Sequence, residues 1–488
     1  MPSHDFDLGV IGGGAAGLTA AAGAAQLGAK CLLVEREPKL GGDCLHYGCV
    51  PSKTLIHTAK VRRLMADAGR FGLPAADLPP VDFRRVASRI QEVVATIQHH
   101  DSVERFCRLG ARVEFGAAAF VDDHQIDLDG KRFSAGKWIV ATGSSPAVPP
   151  IDGLRETPHL TNRNLFSLDR LPESMIVLGA GPIAIEMAQA FQRLGCAVQV
   201  IQRSPEILTK EDPDMAAGVR QALEAEGVVF HLGASVRRVR DLGGAREVLF
   251  EQAGVEKTAS AAALLAAMGR RPNLASLRLD QAGVVHSARG VGTDRRMRTS
   301  QKHIFAAGDV TGRYQFTHAA GYEAGVALTN AVMRLPRKTD YQWLPWCTYA
   351  DPELASIGLN ETAAREQGAL GRVLTSSFGA NDRSLAEGCE KGMLKLVLDR
   401  KEQPLGVQIL GPSAGELLAE WVAALNGGVK LSKLAQAVHP YPTLAEISKR
   451  VCGDLMAPKL FSDTVRGGLS LIFGLKGRAC SLEDHENS

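Results

Sequence analysis

The strongest constraint in this sequence is a glycine pattern that occurs twice, each time between a strand-like run and a helix-like run. Residues 6–11 read FDLGVI, pass through GGGAAG into an alanine-rich stretch, and lead to the strand-like KCLLVE at 30–35. Far downstream, SMIVL at 174–178 leads into GAGPIA, the helical IEMAQAFQRLG and the strand AVQVIQR. Each is a βαβ unit. Gly12, Gly14 and Gly17 follow the G-x-G-x-x-G spacing. The first glycine permits a tight turn, the second lets a pyrophosphate reach the backbone, and the third lets helix and strand pack closely. The helix N-terminus then faces the phosphate charge. Glu35 ends the second strand, where a carboxylate can accept hydrogen bonds from ribose hydroxyls. In the second copy Gly179 and Gly181 are followed by Ala184, and the strand ends in Gln202–Arg203 rather than in an acid. Arg203 can pair with a 2′-phosphate that an acid would repel, which predicts NADPH, with NADH as the alternative. Two such units imply an α/β chain with two Rossmann-like nucleotide-binding domains.

Other classes recede on composition. At 488 residues, two to four domains are expected. A net charge of +3 with no long basic block points away from nucleic acid. Nine scattered cysteines and no signal-peptide pattern argue against a secreted disulfide framework and for a cytoplasmic chain. Residues 8–29 carry no charge and on length alone could span a bilayer, but their apolar content is Gly and Ala set in the fingerprint. Helical stretches are expected over roughly 52–65, 82–108 and 318–334. LPRKTDYQWLP at 335–345 reads as a linker. Beyond it, GMLKLVLD, PLGVQIL and the helical GELLAEWVAAL make a third, α+β unit.

The stretch GGDCLHYGCVPSK places Cys44 and Cys49 five positions apart. A zinc site there would need two more ligands; His46 and His57 are near, but no second cysteine pair is. No resident metal is expected. Positions i and i+5 of an ideal helix lie roughly 8 to 9 Å apart, whereas a disulfide needs Cα atoms within about 7 Å. A bonded pair would require a distorted helix, for which Gly48 and Pro51 provide the means. A helix N-terminus would also favour a thiolate.

Taken with ATGSSP, MGRRPN, AAGDVTG, TYADPELASIGL and HPYPTLAE, these motifs resemble the class I pyridine nucleotide-disulfide oxidoreductases. That flavoprotein family includes dihydrolipoamide dehydrogenase, glutathione reductase and mercuric reductase. The resemblance runs from about residue 6 to residue 450 and implies a homodimer with FAD at the first fingerprint and a nicotinamide at the second. It divides the chain into an FAD-binding domain at 1–150 and 274–340, an NAD(P)H-binding domain at 151–273, a dimerisation domain at 341–460 and an extension at 461–488. Cys49 would be the thiolate beside the flavin, in charge-transfer contact, and Cys44 the interchange thiol. Lys53, paired with Glu186, would lie by the flavin. Asp309, Thr142, Gly143, Gly42 and Gly269 would contact the nucleotides.

The chain departs from the family at its far end. Disulfide reductases place a histidine before the proline of H-P-T-x-x-E, oriented by the glutamate and reaching the partner's active site. Aligned on Pro442, Thr443 and Glu446, this position is Tyr441, with an unperturbed pKa near 10 and little use as a proton shuttle at neutral pH. His439, or His46 beside Cys44, is a candidate substitute. Mercuric reductases also carry tyrosine here, and a soft metal ion needs thiolate ligands more than a shuttle. The expected acceptor is therefore a soft metal ion, with lipoamide or another disulfide as the alternative and a low-turnover redox sensor or membrane-associated electron carrier as a different class. No N-terminal Cys-x-x-Cys domain and no vicinal C-terminal cysteines are present; the isolated Cys452 and Cys480 are candidate relays, more simply read as incidental thiols. The extension LFSDTVRGGLSLIFGLKGR has an apolar face, expected to pack on the dimer, with a membrane surface as the lesser alternative.

Overall fold

The computed structural model describes residues 4–477. Two compact units divide the chain, one ending at Asp351 and one beginning at Pro352.

In the first unit the strand Phe6–Ile11 lies between Cys31–Glu35 and Lys131–Val140, parallel to both. Ala111–Phe115 extends this sheet on one side. Ile304–Ala306 pairs in parallel with the end of Lys131–Val140 on the other, so a late segment completes a sheet that the N-terminus begins. Strands of a parallel sheet are covered on both faces and run nearly all apolar; Val10, Leu32, Leu33 and Ile139 are fully buried. One face is covered by the helices Ala15–Gln26 and Thr317–Ala331, whose alanines let them pack closely. A second parallel sheet has the order Val229–Leu232, Ala197–Gln202, Ser174–Leu178, Ala263–Ala266. An antiparallel three-stranded sheet, Ala234–Asp241 to Val255–Ala261, is inserted in sequence between its strands Val229–Leu232 and Ala263–Ala266.

Several boundaries differ from those expected. The run at 8–29 is a strand end, a turn and a helix, and among the described residues no helix is long and apolar enough to cross a membrane. The 82–108 stretch is two helices, Phe83–Gln98 and Val103–Leu109, because Ser102 restarts the chain by capping Arg105 N–H. Residues 335–345 are no loose linker: the Tyr341 hydroxyl donates to Glu323 at 2.7 Å and Thr339 N–H to Arg295 O at 2.7 Å. The first unit continues to Asp351 since Tyr349 N–H and Asp351 N–H donate to Glu186 and Gln189.

The second unit is an antiparallel sheet, Glu353–Gly358, Pro404–Gly411, Met393–Leu398 and Arg372–Ser377, with the helices Ala414–Asn426 and Glu446–Leu460. Trp421 and Ser448 hydrogen bond in its core at 2.9 Å. The extension forms the helix Asp463–Phe473, with Leu471, Ile472 and Phe473 exposed. Cys480 lies outside the described residues.

Candidate active site

The first fingerprint and the cysteine loop meet glycine against glycine. Gly12 has φ 112°, and a Cβ on Gly17 would stand 1.7 Å from Gly12 O, so the third glycine is required by packing. Gly41 N–H donates to Gly13 O at 2.9 Å. A Cβ on Gly42, itself at φ 61°, would stand 2.6 Å from Gly14 Cα. Glu35 is buried and accepts from Gly13 N–H at 2.5 Å and Glu37 N–H at 2.7 Å, which leaves lone pairs on both oxygens. Gly143 (φ 66°) and Gly269 (φ 113°) face open space where a Cβ would stand. Thr142 is locked to Asn273, its hydroxyl donating to Asn273 O at 2.8 Å and the Asn273 amide to Thr142 O at 2.9 Å. Asp309 accepts from the Ser144 hydroxyl at 2.5 Å and faces Arg270 at 3.7 Å. Burial raises its pKa against both of those partners. A backbone cradle too tight for side chains, a helix N-terminus and carboxylates with lone pairs to spare fit a dinucleotide such as FAD.

The cysteines sit on two helices rather than one distorted helix. Cys44 lies in Gly42–His46 and Cys49 is the first residue of Cys49–Ala66. The chain breaks at Tyr47–Gly48, where a Cβ on Gly48 would stand 2.9 Å from Asp43 O. Pro51 falls in the first turn, where no backbone hydrogen bond is lost. Both cysteines are free thiols. Cys49 Sγ lies 3.4 Å from the hydroxyl of Thr317, itself the first residue of Thr317–Ala331. Two helix N-termini thus converge on one sulfur, where a negative charge is stabilised. The Cys44 thiol as hydrogen-bond donor pulls the Cys49 pKa down, with help from Thr317 and the Lys53 charge, against desolvation and Glu186; it falls to about 6. Cys44 moves the other way, held protonated by the Cys49 sulfur and by burial.

One turn on from Cys49, Lys53 Nζ lies 2.7 Å from Glu186 Oε2 and 4.4 Å over the ring of Tyr349. The buried Glu186 spends its other oxygen on Tyr349 N–H at 3.0 Å. A cation beside the thiol is thereby kept with its counter-charge satisfied. Several participants escaped sequence reasoning. Arg270 binds Asp43 at 3.0 Å and the Ser144 hydroxyl at 2.7 Å, tying the residue before Cys44 to the Asp309 side of the cradle. Asn162 donates to Asp43 at 3.1 Å and to Tyr47 O at 3.0 Å. Arg270 lies in the MGRRPN motif, from which sequence reasoning took only Gly269; only the fold reveals its partners. His46 Nε2 lies 2.8 Å from Leu40 O, a local capping contact.

At the second fingerprint, Gly179 has φ 98° and a Cβ there would stand 2.6 Å from Ala267 O. Gly181 faces open space at the N-terminus of Pro182–Leu194, Ala184 is fully buried, and Arg203 is exposed just past Ala197–Gln202.

In the second unit Tyr441 is 71% exposed and its hydroxyl donates to Asp382 at 2.8 Å. That carboxylate raises the phenol pKa. Glu446 accepts from Thr443 N–H at 3.3 Å and does not orient Tyr441. His439 is engaged by Glu420 at 2.9 Å with its side chain only 10% exposed. Cys452 is buried and its thiol is pushed up to about 12 by that burial, in keeping with the incidental-thiol reading rather than a relay.

Comparison with known proteins gives a consistent picture. A family model described as pyridine nucleotide-disulphide oxidoreductase matches residues 6–324, and one for the dimerisation domain of that family matches 344–452. The mercuric reductase of Staphylococcus aureus is 32% identical over 444 residues, spanning 91% of this chain and 81% of that protein. The dihydrolipoyl dehydrogenase of Thermus scotoductus is 36% identical over 449 residues, spanning 90% and 95%. Among solved structures, the Cu(II) complex of the HOCl-induced flavoprotein disulfide reductase RclA from Escherichia coli superimposes with a TM-score of 0.82 at 28% identity, covering 91% of this chain and 99% of that one.

Proposed function

The chain belongs to the pyridine nucleotide-disulphide oxidoreductases, and from that premise we propose that it carries electrons from NADPH, through FAD and the Cys44–Cys49 pair, to a soft metal ion such as Hg(II). Bound FAD supplies the relay between a hydride donor and a thiol pair. Gly12, Gly14, Gly17, Gly42, Glu35, Thr142, Gly143 and Asp309 would hold it, in a domain formed by residues 1–150 and 274–340. Gly179, Gly181, Ala184 and Gly269 would hold the nicotinamide dinucleotide over 151–273, and the exposed Arg203 supports NADPH over NADH. Cys49 holds a thiolate at neutral pH while Cys44 keeps its proton, and Lys53, balanced by Glu186, sets the positive field in which that thiolate lies. The net reaction takes NADPH and Hg(II) to NADP⁺, a proton and Hg(0). Homodimerisation through the second unit completes the reading.

The observation that carries the acceptor is Tyr441. Its phenol pKa is raised further by Asp382, so it can donate a hydrogen bond but does not cycle a proton near neutral pH. Thiol–disulfide exchange needs that cycling, whereas a soft cation needs thiolate ligands. The test is anaerobic titration of the flavoprotein with NADPH, then turnover with Hg(II), lipoamide and glutathione disulfide. A long-wavelength absorbance on two-electron reduction and fastest turnover with Hg(II) are expected. Faster lipoamide turnover would replace the acceptor, a missing band would remove the role of Cys49, and preference for NADH would overturn that of Arg203.

A further inference from the structure

A column of three imidazoles, His4, His124 and His303, is unused by the redox reading. His4 stacks on His124 at 4.5 Å between ring centroids, and His124 on His303 at 4.1 Å. The column stands where the strands Phe6–Ile11 and Ile304–Ala306 begin, whereas the dinucleotide cradle stands where parallel strands end. His124 lies in the turn between Ala118–Phe120 and Gln125–Leu128. Asp122 pins that turn by accepting from His124 N–H and Gln125 N–H, both at 2.7 Å. Trp138 Nε1 donates to His124 O at 3.0 Å.

Beside the column, a carboxylate oxygen of Asp123 and one nitrogen each of His124 and His303 all lie within 4.8 Å of one another. His124 Nδ1 lies 2.9 Å from Ala135 O. That contact fixes the proton on Nδ1 and leaves the Nε2 lone pair free, the arrangement in which metal-binding histidines are held. His303 Nε2 lies 2.8 Å from Asp123 O and 3.6 Å from Asp123 Oδ2. In the free protein that nitrogen donates to the Asp123 carbonyl; ligation through it gives up this hydrogen bond and moves the proton to Nδ1.

We propose that Asp123, His124 and His303 bind a borderline divalent cation of the Zn(II), Ni(II) and Cu(II) class. Two imidazoles select against Mg(II) and Ca(II), which want oxygen ligands, and the absence of thiolate from this ligand set selects against soft ions. Three protein ligands leave a position for water. The ion would join the 121–124 turn to the residue preceding Ile304–Ala306, distant segments of one sheet, and so stabilise the folded state by mass action.

The test uses Zn(II) alone on the FAD-loaded protein carrying Cys44→Ser and Cys49→Ser, which removes the thiol pair as a competing site. Calorimetry should show a binding event weakened at least about tenfold by Asp123→Asn and by His303→Gln, and zinc should raise the melting temperature of the parent but not of either variant. Glutamine can still donate to Asp123 O, and equal melting without zinc verifies that each variant folds. No zinc binding by the parent, or binding unchanged in both variants, overturns the proposal. An equal rise in melting temperature with Mg(II) overturns the choice of ion.

Discussion

A thiol at the first position of a helix is biased toward its anion, and Cys49 adds to this the Cys44 thiol, the Thr317 hydroxyl and the Lys53 charge. These outweigh desolvation and Glu186, so the Cys49 pKa lies near 6, below the ordinary thiol value. The sign follows directly: the thiolate predominates above that pH and is lost as pH falls through it. In the two-electron-reduced holoenzyme the long-wavelength thiolate–flavin absorbance should therefore fade on acidification with a midpoint near 6. A hydrogen bond to a charged group contributes about 1.5 to 3 kcal/mol, so Thr317→Val should move the midpoint upward by about one pH unit or more. Cys44→Ala should move it the same way. A midpoint unmoved in both variants would mean that the field of Lys53 and the helix ends alone sets the thiolate.

At the scale of elements, the close approach of Gly42 to Gly14 joins the redox loop to the phosphate-binding turn. An alanine at 42 meets both a left-handed backbone, costing about 1 to 2 kcal/mol, and a contact that must open, costing about 1 to 3 kcal/mol more. Gly42→Ala should loosen FAD, read as flavin lost on dialysis. Gly28→Ala, at φ 82° with nothing near its Cβ, should cost only the backbone strain and keep its flavin. The division between what sequence disclosed and what it hid follows range. Gly12, Gly14, Gly17 and the Cys44–Cys49–Lys53 spacing were readable because each depends on backbone within a turn or two. Gly48 was recognised as the means of distortion, but the outcome, two helices, depends on its packing against Asp43. Arg270 with Asp43 and Thr317 with Cys49 were invisible because only the assembled sheet brings those segments together. The first unit's end at Asp351 was hidden for the same reason, since Gln189 and Arg193 on a distant helix hold that residue.

For the whole molecule the open consequence concerns Tyr441. Tyr441 is a 71% exposed phenol held by Asp382, on a unit matched by the family's dimerisation model. The resemblance implies that in the proposed homodimer each cysteine pair would work with the partner subunit's Tyr441, and exchange of subunits tests that arrangement. Two inactive or impaired homodimers then complement each other. A Cys49→Ser chain contributes an intact Tyr441 but no working thiol pair; a Tyr441→Phe chain contributes the thiol pair but no hydroxyl. In their heterodimer one site has both lesions and the other has neither. Differently tagged chains, mixed by denaturation and refolding with FAD and purified on both tags, should regain up to half the turnover of the unaltered dimer with Hg(II). If each site instead drew both groups from one chain, the heterodimer would hold one site without its thiol and one without its hydroxyl. Its turnover would then stay at the mean of the two parents, and the shared-site arrangement would fail.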